Sequence, residues 1–326
     1  MSDITVAGDQ LAWRRRPGSA AVTGARSPDA RRVLQLVLAG VWLLDGVLQY
    51  QPFMFSKAFG QSLAVTAPGN PGVIARPITW DATLVEHHAV LLNAVFATIQ
   101  LLLGLGIAFR PTVKVALGAS IAWSLAVWWL GEGLGGVLNG TADPVNGAPG
   151  AVILYALLAV LLWPADRPGP APFVAARAVG ARTARALWLV LWLSLAWFAL
   201  LPANRAPQAL HDMIAGNESG EPGWVVAIER NAAALVAHQG LAASIALAVA
   251  LVVIAAGTYL PRPAARAALA LGLVVTALIW VVGEALGMIL ASGATDPNTG
   301  PLLVLLTLAF WPAGTMGTGE EGLAAR

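Results

Sequence analysis

Two stretches of similar sequence decide the fold: WWLGEGLG at residues 128–135, and WVVGEALG at residues 280–287, which lies 152 residues further along the chain. In each stretch a glutamate, Glu132 or Glu284, lies between two glycines near the end of a long apolar run. An Asp-Pro step follows each of them, at Asp143 and at Asp296. The recurrence predicts two related halves, and the apolar setting of the acids indicates a membrane.

The composition is that of an integral membrane protein. Of the 326 residues, 58% are hydrophobic and only 11% are charged, with a mean hydropathy of +0.72. A soluble domain carries roughly a quarter of charged residues. The net charge of +2 is too small for a nucleic-acid-binding surface, so the lipid bilayer is the expected partner. Cysteine is absent, which excludes disulfides, thiolate metal sites and iron–sulfur clusters.

Eight apolar runs predict an all-α integral membrane protein with eight transmembrane helices, because a spanning helix needs about 20 apolar residues. The fourth and eighth runs are short and span only with tilt or local thinning of the bilayer. The runs cover residues 33–50, 82–108, 112–135, 147–163, 185–202, 231–259, 264–289 and 299–312.

The repetition extends beyond the opening stretches. Pro71-Gly72 recurs as Pro222-Gly223, and Arg110-Pro111 recurs as Arg262-Pro263. Each half then has four helices, and an even number makes the two four-helix repeats parallel. The predicted units are a disordered cytoplasmic tail at 1–31, a first repeat at 32–164, a cytoplasmic linker at 165–184, a second repeat at 185–313 and a cytoplasmic tail at 314–326.

The distribution of basic residues predicts the orientation. Fifteen of the nineteen Lys and Arg residues fall in the tails, the linker and the turns on the same side, and four fall opposite, at Lys57, Arg76, Arg205 and Arg230. Cytoplasmic segments carry the excess of positive charge, so both termini are predicted to be cytoplasmic. Abundant Arg and Ala with only two Lys indicate a bacterial source and hence a cell-membrane location.

The start of the first half resembles the DoxX-like membrane family. The resemblance rests on LAGVWLLDGVLQ at residues 38–49 and on the Phe-rich PFMF at residues 52–55. It implies a four-helix bundle, present here as a tandem duplication. Members are associated with redox partners, thiosulfate oxidation or oxidative-stress complexes, so the resemblance implies a membrane or redox protein partner. It carries over no catalytic residue.

Three histidines and the two repeated glutamates are the main candidates for chemistry. His87 and His88 begin the second run, His238 matches His87 in the second half, and Glu132 and Glu284 end the third and seventh runs. All five are expected toward the outer side. Ionisable groups in membrane helices usually face the bundle interior or a water-filled cavity.

Several uses of these residues stay open. His87, His238, Glu132 and Glu284 could bind a divalent metal, since imidazole and carboxylate are suitable ligands. A haem could be held by His238 with either His87 or His88. The two glutamates could carry protons, or the whole set could simply stabilise helix packing.

Asp45, in the first helix, has no acidic partner in the repeat, since Trp197 lies 152 residues later. It is either a specialised ligand-binding residue or a side chain that reaches the outer surface. The glycine pairs around Glu132 and Glu284 predict close helix packing. Asp143 and Asp296 predict turns, and Asn93 and Ser244 predict hydrogen bonds between helices.

The leading functional prediction is a small-ligand or cation site near the outer face between the repeats, used for binding or transport. Its residues are Asp45, His87, His88, Glu132, His238 and Glu284. The alternatives are a membrane redox subunit that uses haem or quinone, and a non-catalytic assembly partner of a membrane complex. Enzymatic activity is left open, although the motifs of soluble catalytic domains are absent.

Overall fold

A computed structural model describes residues 29–169 and 171–312, which are helical without β-strand. The predicted tails therefore lie outside the described residues, apart from residues 29–31. The helices are α1 (Ala30–Leu48), α2 (Lys57–Ala64), α3 (Gly72–His87), α4 (Ala89–Ala108), α5 (Val113–Leu130), α6 (Ala151–Leu161), α7 (Val174–Val179), α8 (Ala181–Ala199), α9 (Ala209–Ala215), α10 (Gly223–Val236), α11 (Gly240–Ala256), α12 (Arg262–Leu278) and α13 (Thr299–Ala309).

Four helical segments are long and apolar enough to cross a membrane. They are Ala89–Ala108, Arg110–Leu130, Gly240–Tyr259 and Arg262–Gly283, which comprise α4, α5, α11 and α12 with their adjoining turns. Short turns at Arg110–Thr112 and around Leu260 join them in pairs. The chain is therefore an all-helical protein of the membrane class, as its composition predicts.

The two short helices α6 and α13 form the centre of the bundle. They pack against each other, with α5 on the outside of α6 and α12 on the outside of α13. Leu154 and Leu158 of α6 and Leu302 and Leu305 of α13 are almost fully buried. Each helix has 11 residues, about 16 Å of length, which is half of the roughly 30 Å hydrocarbon layer. Neither helix is therefore long enough to cross that layer by itself.

The second and sixth predicted runs are each broken into two helices. Residues 82–108 divide at His88, whose φ of −128° and ψ of 34° are not helical, so α3 ends and α4 begins there. Residues 231–259 divide between α10 and α11, where His238 has a φ of 63°. Apolar residues continue on both sides of each break, so hydropathy alone could not reveal it. The long connections after α1 and α8 accordingly contain α2 and α3, and α9 and α10, respectively.

The Phe-rich segment packs against α3 and α4. Met54 and Phe59 are buried with Val85 of α3, and Leu92 and Phe96 pack against them. Residues 52–64 and α3 thus cover the beginning of α4 and the end of α5. A lid of this kind leaves space beneath it, where the candidate site lies.

The glycine pairs do not form the helical packing face expected from the sequence. Helix α5 ends at Leu130, and Gly135 has a φ of 61° in a tight turn; Gly287 has a φ of 73° at the corresponding place. A Cβ atom at either glycine would clash with a proline carbonyl, of Pro149 or of Pro297. These glycines allow the chain to turn sharply against another backbone segment.

The segment predicted as a cytoplasmic linker packs on the bundle. It contains α7 and the first turn of α8, and Phe173 and Ala175 are buried in the main hydrophobic core. Arg31 at the start of α1 forms an ion pair with Asp166, and Arg177 pairs with Asp29 at 2.7 Å and with Asp166 at 3.0 Å. These ion pairs connect the beginning of the first half to the segment that leads into the second half.

Candidate functional site

The two repeated glutamates each contact the beginning of a short central helix. Glu132 Oε1 accepts a hydrogen bond from Val152 N of α6 at 3.2 Å, and Glu284 Oε2 accepts one from Gly300 N of α13 at 3.0 Å. The hydroxyl of Thr299 also donates to Glu284 Oε1. The first N–H groups of a helix lack intrahelical partners and attract negative charge. Both glutamates therefore stabilise a helix N-terminus.

The tryptophans four residues before the glutamates join the same helices to the preceding loops. Trp128 Nε1 donates to Pro149 O at 2.6 Å, and Trp280 Nε1 donates to Pro297 O at 2.9 Å. The shared Trp-xxx-Glu arrangement thus fixes the loop and the start of the short helix together. A structural role of this arrangement therefore explains why the two stretches recur.

The histidines lie apart from the glutamates. His87 Nδ1 is 2.7 Å from Thr83 O of its own helix, His88 is exposed, and both ring nitrogens of His238 lie within 3.1 Å of Gln208 Nε2. Among residues 29–169 and 171–312, no group of three or more His, Cys, Asp or Glu side chains could hold a metal ion.

The predicted metal set of His87, His238, Glu132 and Glu284 is therefore not brought together. The physical reason is that the helix breaks place the histidines at exposed helix ends. The glutamates instead turn inward toward α6 and α13.

A polar cavity of about 180 Å³ lies within the first half, beneath the lid formed by α2 and α3. Four carboxylate side chains line it: Asp45 from α1, Asp81 from α3, Glu132 after α5, and Asp296 from the loop before α13. None of the described residues that line it is Lys, Arg or His. The cavity is therefore suited to a positively charged occupant.

Several oxygen atoms at this cavity are buried and have no hydrogen-bond partner among residues 29–169 and 171–312. Asp45 is 2% exposed; its Oδ2 accepts from the Tyr155 hydroxyl at 2.5 Å, whereas its Oδ1 has no partner. Gln49 and Gln100 are 3% and 8% exposed, and Oε1 of each is also unpartnered, as is Glu132 Oε2. Buried polar atoms are nearly always hydrogen-bonded, so each exception needs an explanation. A hydrogen-bond-donating occupant would supply it.

Aromatic side chains make up much of the remaining wall. Trp42, Phe59, Phe96 and Trp123 all line the cavity. Trp42 is held in place by a 3.1 Å hydrogen bond from its Nε1 to Ser120 Oγ, and the rings of Phe96 and Trp123 are 5.6 Å apart between centroids. Trp123 Nε1 is a buried donor without a partner. The cavity thus combines acidic and amide oxygens with aromatic surface.

Burial makes these acids harder to ionise. Asp81 and Asp296 lie outside the four apolar spans, and burial raises the pKa of each above the ordinary aspartate value near 3.8. The cause is the loss of hydration of the charged form in a low-dielectric setting. A bound cation would reverse this effect by favouring the ionised carboxylates.

A wider cleft of about 390 Å³ adjoins the cavity and shares Glu132, Thr295 and Asp296 with it. Asp296 is oriented by bonds of 2.7 Å from Asn298 N to Oδ1 and from the Thr295 hydroxyl to Oδ2. Gln51 holds the same loop, donating to Ala294 O at 3.0 Å. Asp296 therefore lies at the boundary that the cleft and the cavity share.

A second cavity, of about 320 Å³, occupies the other half and is lined mostly by apolar side chains. Several of its residues lie 150 or 151 positions after residues that line the first cavity, with Ala199 for Gln49, Ala232 for Asp81 and Leu247 for Phe96, and Asp143 lies 153 positions before Asp296. Asp143 comes from the loop of the first half, just as Asp296 comes from the loop of the second. Asp143 is the one carboxylate among the described lining residues.

The sequence singled out two members of the polar cavity, Asp45 and Glu132, and missed Gln49, Asp81 and Gln100. Asp296 was assigned to a turn, and it does form one. A usable signal was present: at these positions the two halves differ in polarity, with Gln100 opposite Leu251 for example. The positions at which the two halves differ in polarity, rather than those at which they are similar, therefore identify the residues of the cavity.

Comparison with family models, with curated proteins and with solved structures found no match in any of the three.

Proposed function

We propose that the chain is a bacterial cell-membrane protein with eight transmembrane helices, arranged as two parallel four-helix repeats with both termini in the cytoplasm. Equal lengths support the duplication, since α1 and α8 each have 19 residues and begin 151 positions apart. The turn at residues 133–136 recurs at 285–288, and all four residues of each turn have a positive φ. The excess of basic residues on one side supports the orientation.

Within this architecture we infer that the cavity of the first half binds a small solute of positive charge, for storage, sensing or transport. The observation that carries this proposal is the set of unpartnered, almost fully buried oxygens of Asp45, Gln49 and Gln100. Leaving such groups without partners costs free energy, and a buried charge is normally paired. A cation or hydrogen-bond donor in the cavity offsets that cost.

The proposed site differs in place from the one expected between the halves. It lies inside the first half, closed by Asp296 from the second, and in the proposed orientation it is near the outer face. Asp45 and Glu132 belong to it, whereas His87, His88, His238 and Glu284 do not line it. The shared cleft at Glu132 and Asp296 provides the route of entry.

The redox alternative has less support. A haem held by two histidines requires His238 to face His87 or His88. Instead, His87 hydrogen-bonds at the end of α3, and His238 hydrogen-bonds after the end of α10. The DoxX-like resemblance therefore remains the basis of the redox and assembly-partner hypotheses, without a contact that favours either.

The proposal is tested by tryptophan fluorescence of the full chain in mild detergent, because Trp42 and Trp123 line the cavity. Potassium, sodium, magnesium and methylammonium chlorides are titrated at constant ionic strength. We expect a saturable change with at least one cation, weakened about tenfold or more by Asp45→Asn, since a hydrogen bond to a charged group contributes about 1.5–3 kcal/mol. The matched control, Asp143→Asn, should bind like the wild type.

Absence of a saturable signal for all four cations would overturn the proposal. So would equal affinity of the wild type and a folded Asp45→Asn variant. Circular dichroism and a thermal melt of each variant establish that it is folded.

A further inference from the structure

We propose that the occupant of the first-half cavity is a small alkylammonium ion, an organic amine in its charged form, rather than an inorganic cation. This inference rests on the proposed cation-binding function and specifies its ligand class. It follows from the chemistry of three features of the cavity: its unpartnered acceptors, its aromatic walls and its size.

The unpartnered acceptors suit N–H donors in several directions. Asp45 Oδ1, Gln49 Oε1 and Gln100 Oε1 come from two helices, α1 and α4, and all are buried at the same cavity. A protonated primary amine carries three N–H donors and no acceptor, as the lysine side chain does. One ammonium group can therefore satisfy a carboxylate and neighbouring amide oxygens together.

The aromatic walls suit both the alkyl part and the positive charge of an alkylammonium ion. A cation within about 6 Å of an aromatic ring face is attracted by the ring quadrupole, most strongly with tryptophan. Trp42, Phe59, Phe96 and Trp123 provide such rings beside the carboxylates. Hard inorganic cations such as Mg²⁺ and Ca²⁺ instead need about six to eight oxygen ligands, and a wall built largely from ring carbons does not complete that shell.

The volume limits the ligand to a few heavy atoms. The cavity measures about 180 Å³, below the roughly 300–1,000 Å³ of sites for drug-sized molecules. The second cavity is larger but has Ala199 in place of Gln49 and Ala232 in place of Asp81, and the second half has Leu251 and Val275 at the positions of Gln100 and Trp123. One ammonium ion per chain is the expected stoichiometry.

The experiment compares propylammonium, methylammonium, tetramethylammonium and potassium by isothermal titration calorimetry on the full chain in nanodiscs. Propylammonium and methylammonium should bind at least about tenfold more tightly than potassium. Tetramethylammonium has the same charge but no N–H, so it should bind at least about fivefold more weakly than methylammonium. The fitted stoichiometry should be one.

Variants that copy the second half sharpen the test. Gln100→Leu should weaken methylammonium about fivefold or more, and Trp123→Val should weaken the two alkylammonium ions while leaving potassium unchanged. The reciprocal variant Leu251→Gln, in the helix of the other half, is the matched control and should leave every affinity unchanged.

The outcomes separate this inference from the proposed function. Binding of potassium or magnesium that depends on Asp45, without preference for alkylammonium, overturns the inference and leaves the cation site standing. Tetramethylammonium binding more tightly than methylammonium also overturns it, because hydrogen bonding would then not select the ligand. Absence of binding by all the cations overturns both.

Discussion

Several residues of the two cavities stand at matching positions, yet the first cavity has four carboxylates, two amides and four aromatic rings in its wall, whereas the second has one carboxylate and one amide among mostly aliphatic side chains. Gln49, Asp81 and Gln100 stand where the second half has Ala199, Ala232 and Leu251. Burying unpaired polar groups is unfavourable unless something pairs with them. The second cavity shows that this architecture folds without them, which points to a use for the polar residues in the first.

Features that the halves share indicate a structural role instead. Glu132 and Glu284 both contact the N–H groups of a short central helix, and Trp128 and Trp280 both bond a proline carbonyl. Each loop also crosses to the other half: Gln51 binds Ala294 O, and Asn204 donates to Ala142 O at 2.9 Å. Shared residues thus maintain the architecture, and unshared ones distinguish the cavities.

Removing a shared residue should have the largest effect on stability. Glu284→Ala leaves Gly300 N and the Thr299 hydroxyl unpaired in a buried setting, and we expect a loss of about 3 kcal/mol in the free energy of unfolding. Glu284→Gln keeps an acceptor and should lose about 1 kcal/mol. Chemical denaturation in detergent measures both.

The comparison predicts a smaller loss of about 1 kcal/mol for Glu132→Ala, because Glu132 accepts one hydrogen bond, from Val152 N at 3.2 Å, whereas Glu284 accepts two. Equal stability of Glu284→Ala and the wild type would show that the shared glutamates do not support the helices.

Removing an unshared pair should abolish binding with little effect on folding. In Asp45→Leu combined with Tyr155→Phe, both partners of the buried hydrogen bond disappear, so neither is left unsatisfied. Methylammonium affinity should fall about a hundredfold, while the free energy of unfolding should change by no more than about 1 kcal/mol. Calorimetric titration and denaturation are the measurements.

The control for that pair is Tyr155→Phe alone, which keeps the carboxylate and should weaken binding much less than the double variant does. If the double variant binds like the wild type, the polar residues of the first cavity have no role in ligand binding, and the contrast between the cavities loses its functional meaning.

The helices α3 and α10, which occupy matching positions in the two halves, provide the comparison with the smallest expected effect on stability. Glu229 of α10 is fully buried with both carboxylate oxygens unpartnered, at the position where α3 has the buried Ile78. Burial, followed by the nearby charges of Glu221 and Glu218, raises the pKa of Glu229 to about 7. Arg230 pairs with Glu218 at 2.7 Å and leaves Glu229 without a counter-ion.

A raised carboxyl pKa means that the folded protein holds the proton more tightly than the unfolded chain. Stability from this group is therefore present below the ordinary glutamate pKa near 4.5 and is lost as the pH rises through about 7. Glu229→Gln should be more stable relative to the wild type at pH 8 than at pH 5, as measured by thermal melts. The same difference at both pH values would contradict a buried, titrating Glu229.

Local chemistry in the sequence predicted several details correctly. The turns at the Asp-Pro steps are confirmed, because Asp143 Oδ1 accepts from Val145 N at 2.8 Å and Asp296 Oδ1 accepts from Asn298 N at 2.7 Å. The predicted hydrogen bond between helices is confirmed for Asn93, whose partner Gln49 is the C-cap of α1, whereas Ser244 bonds the loop after α8 instead. Asn93 donates to Gln49 O and Ser244 donates to Asn204 O. Both kinds of contact depend on short-range geometry or on helix pairing, which the pattern of residues reveals.

The sequence by itself determined the membrane class, the helical architecture and the existence of a repeated device, because hydropathy and spacing are properties of the chain alone. Only the tertiary structure decided which polar residues meet. Asp45, Asp81, Glu132 and Asp296 come from distant parts of the sequence, and their convergence depends on where helices break and how loops cross. Helix breaks at His88 and at His238 occur within apolar sequence, so no pattern of hydrophobic residues could place the histidines outside the cavity and the four acids around it.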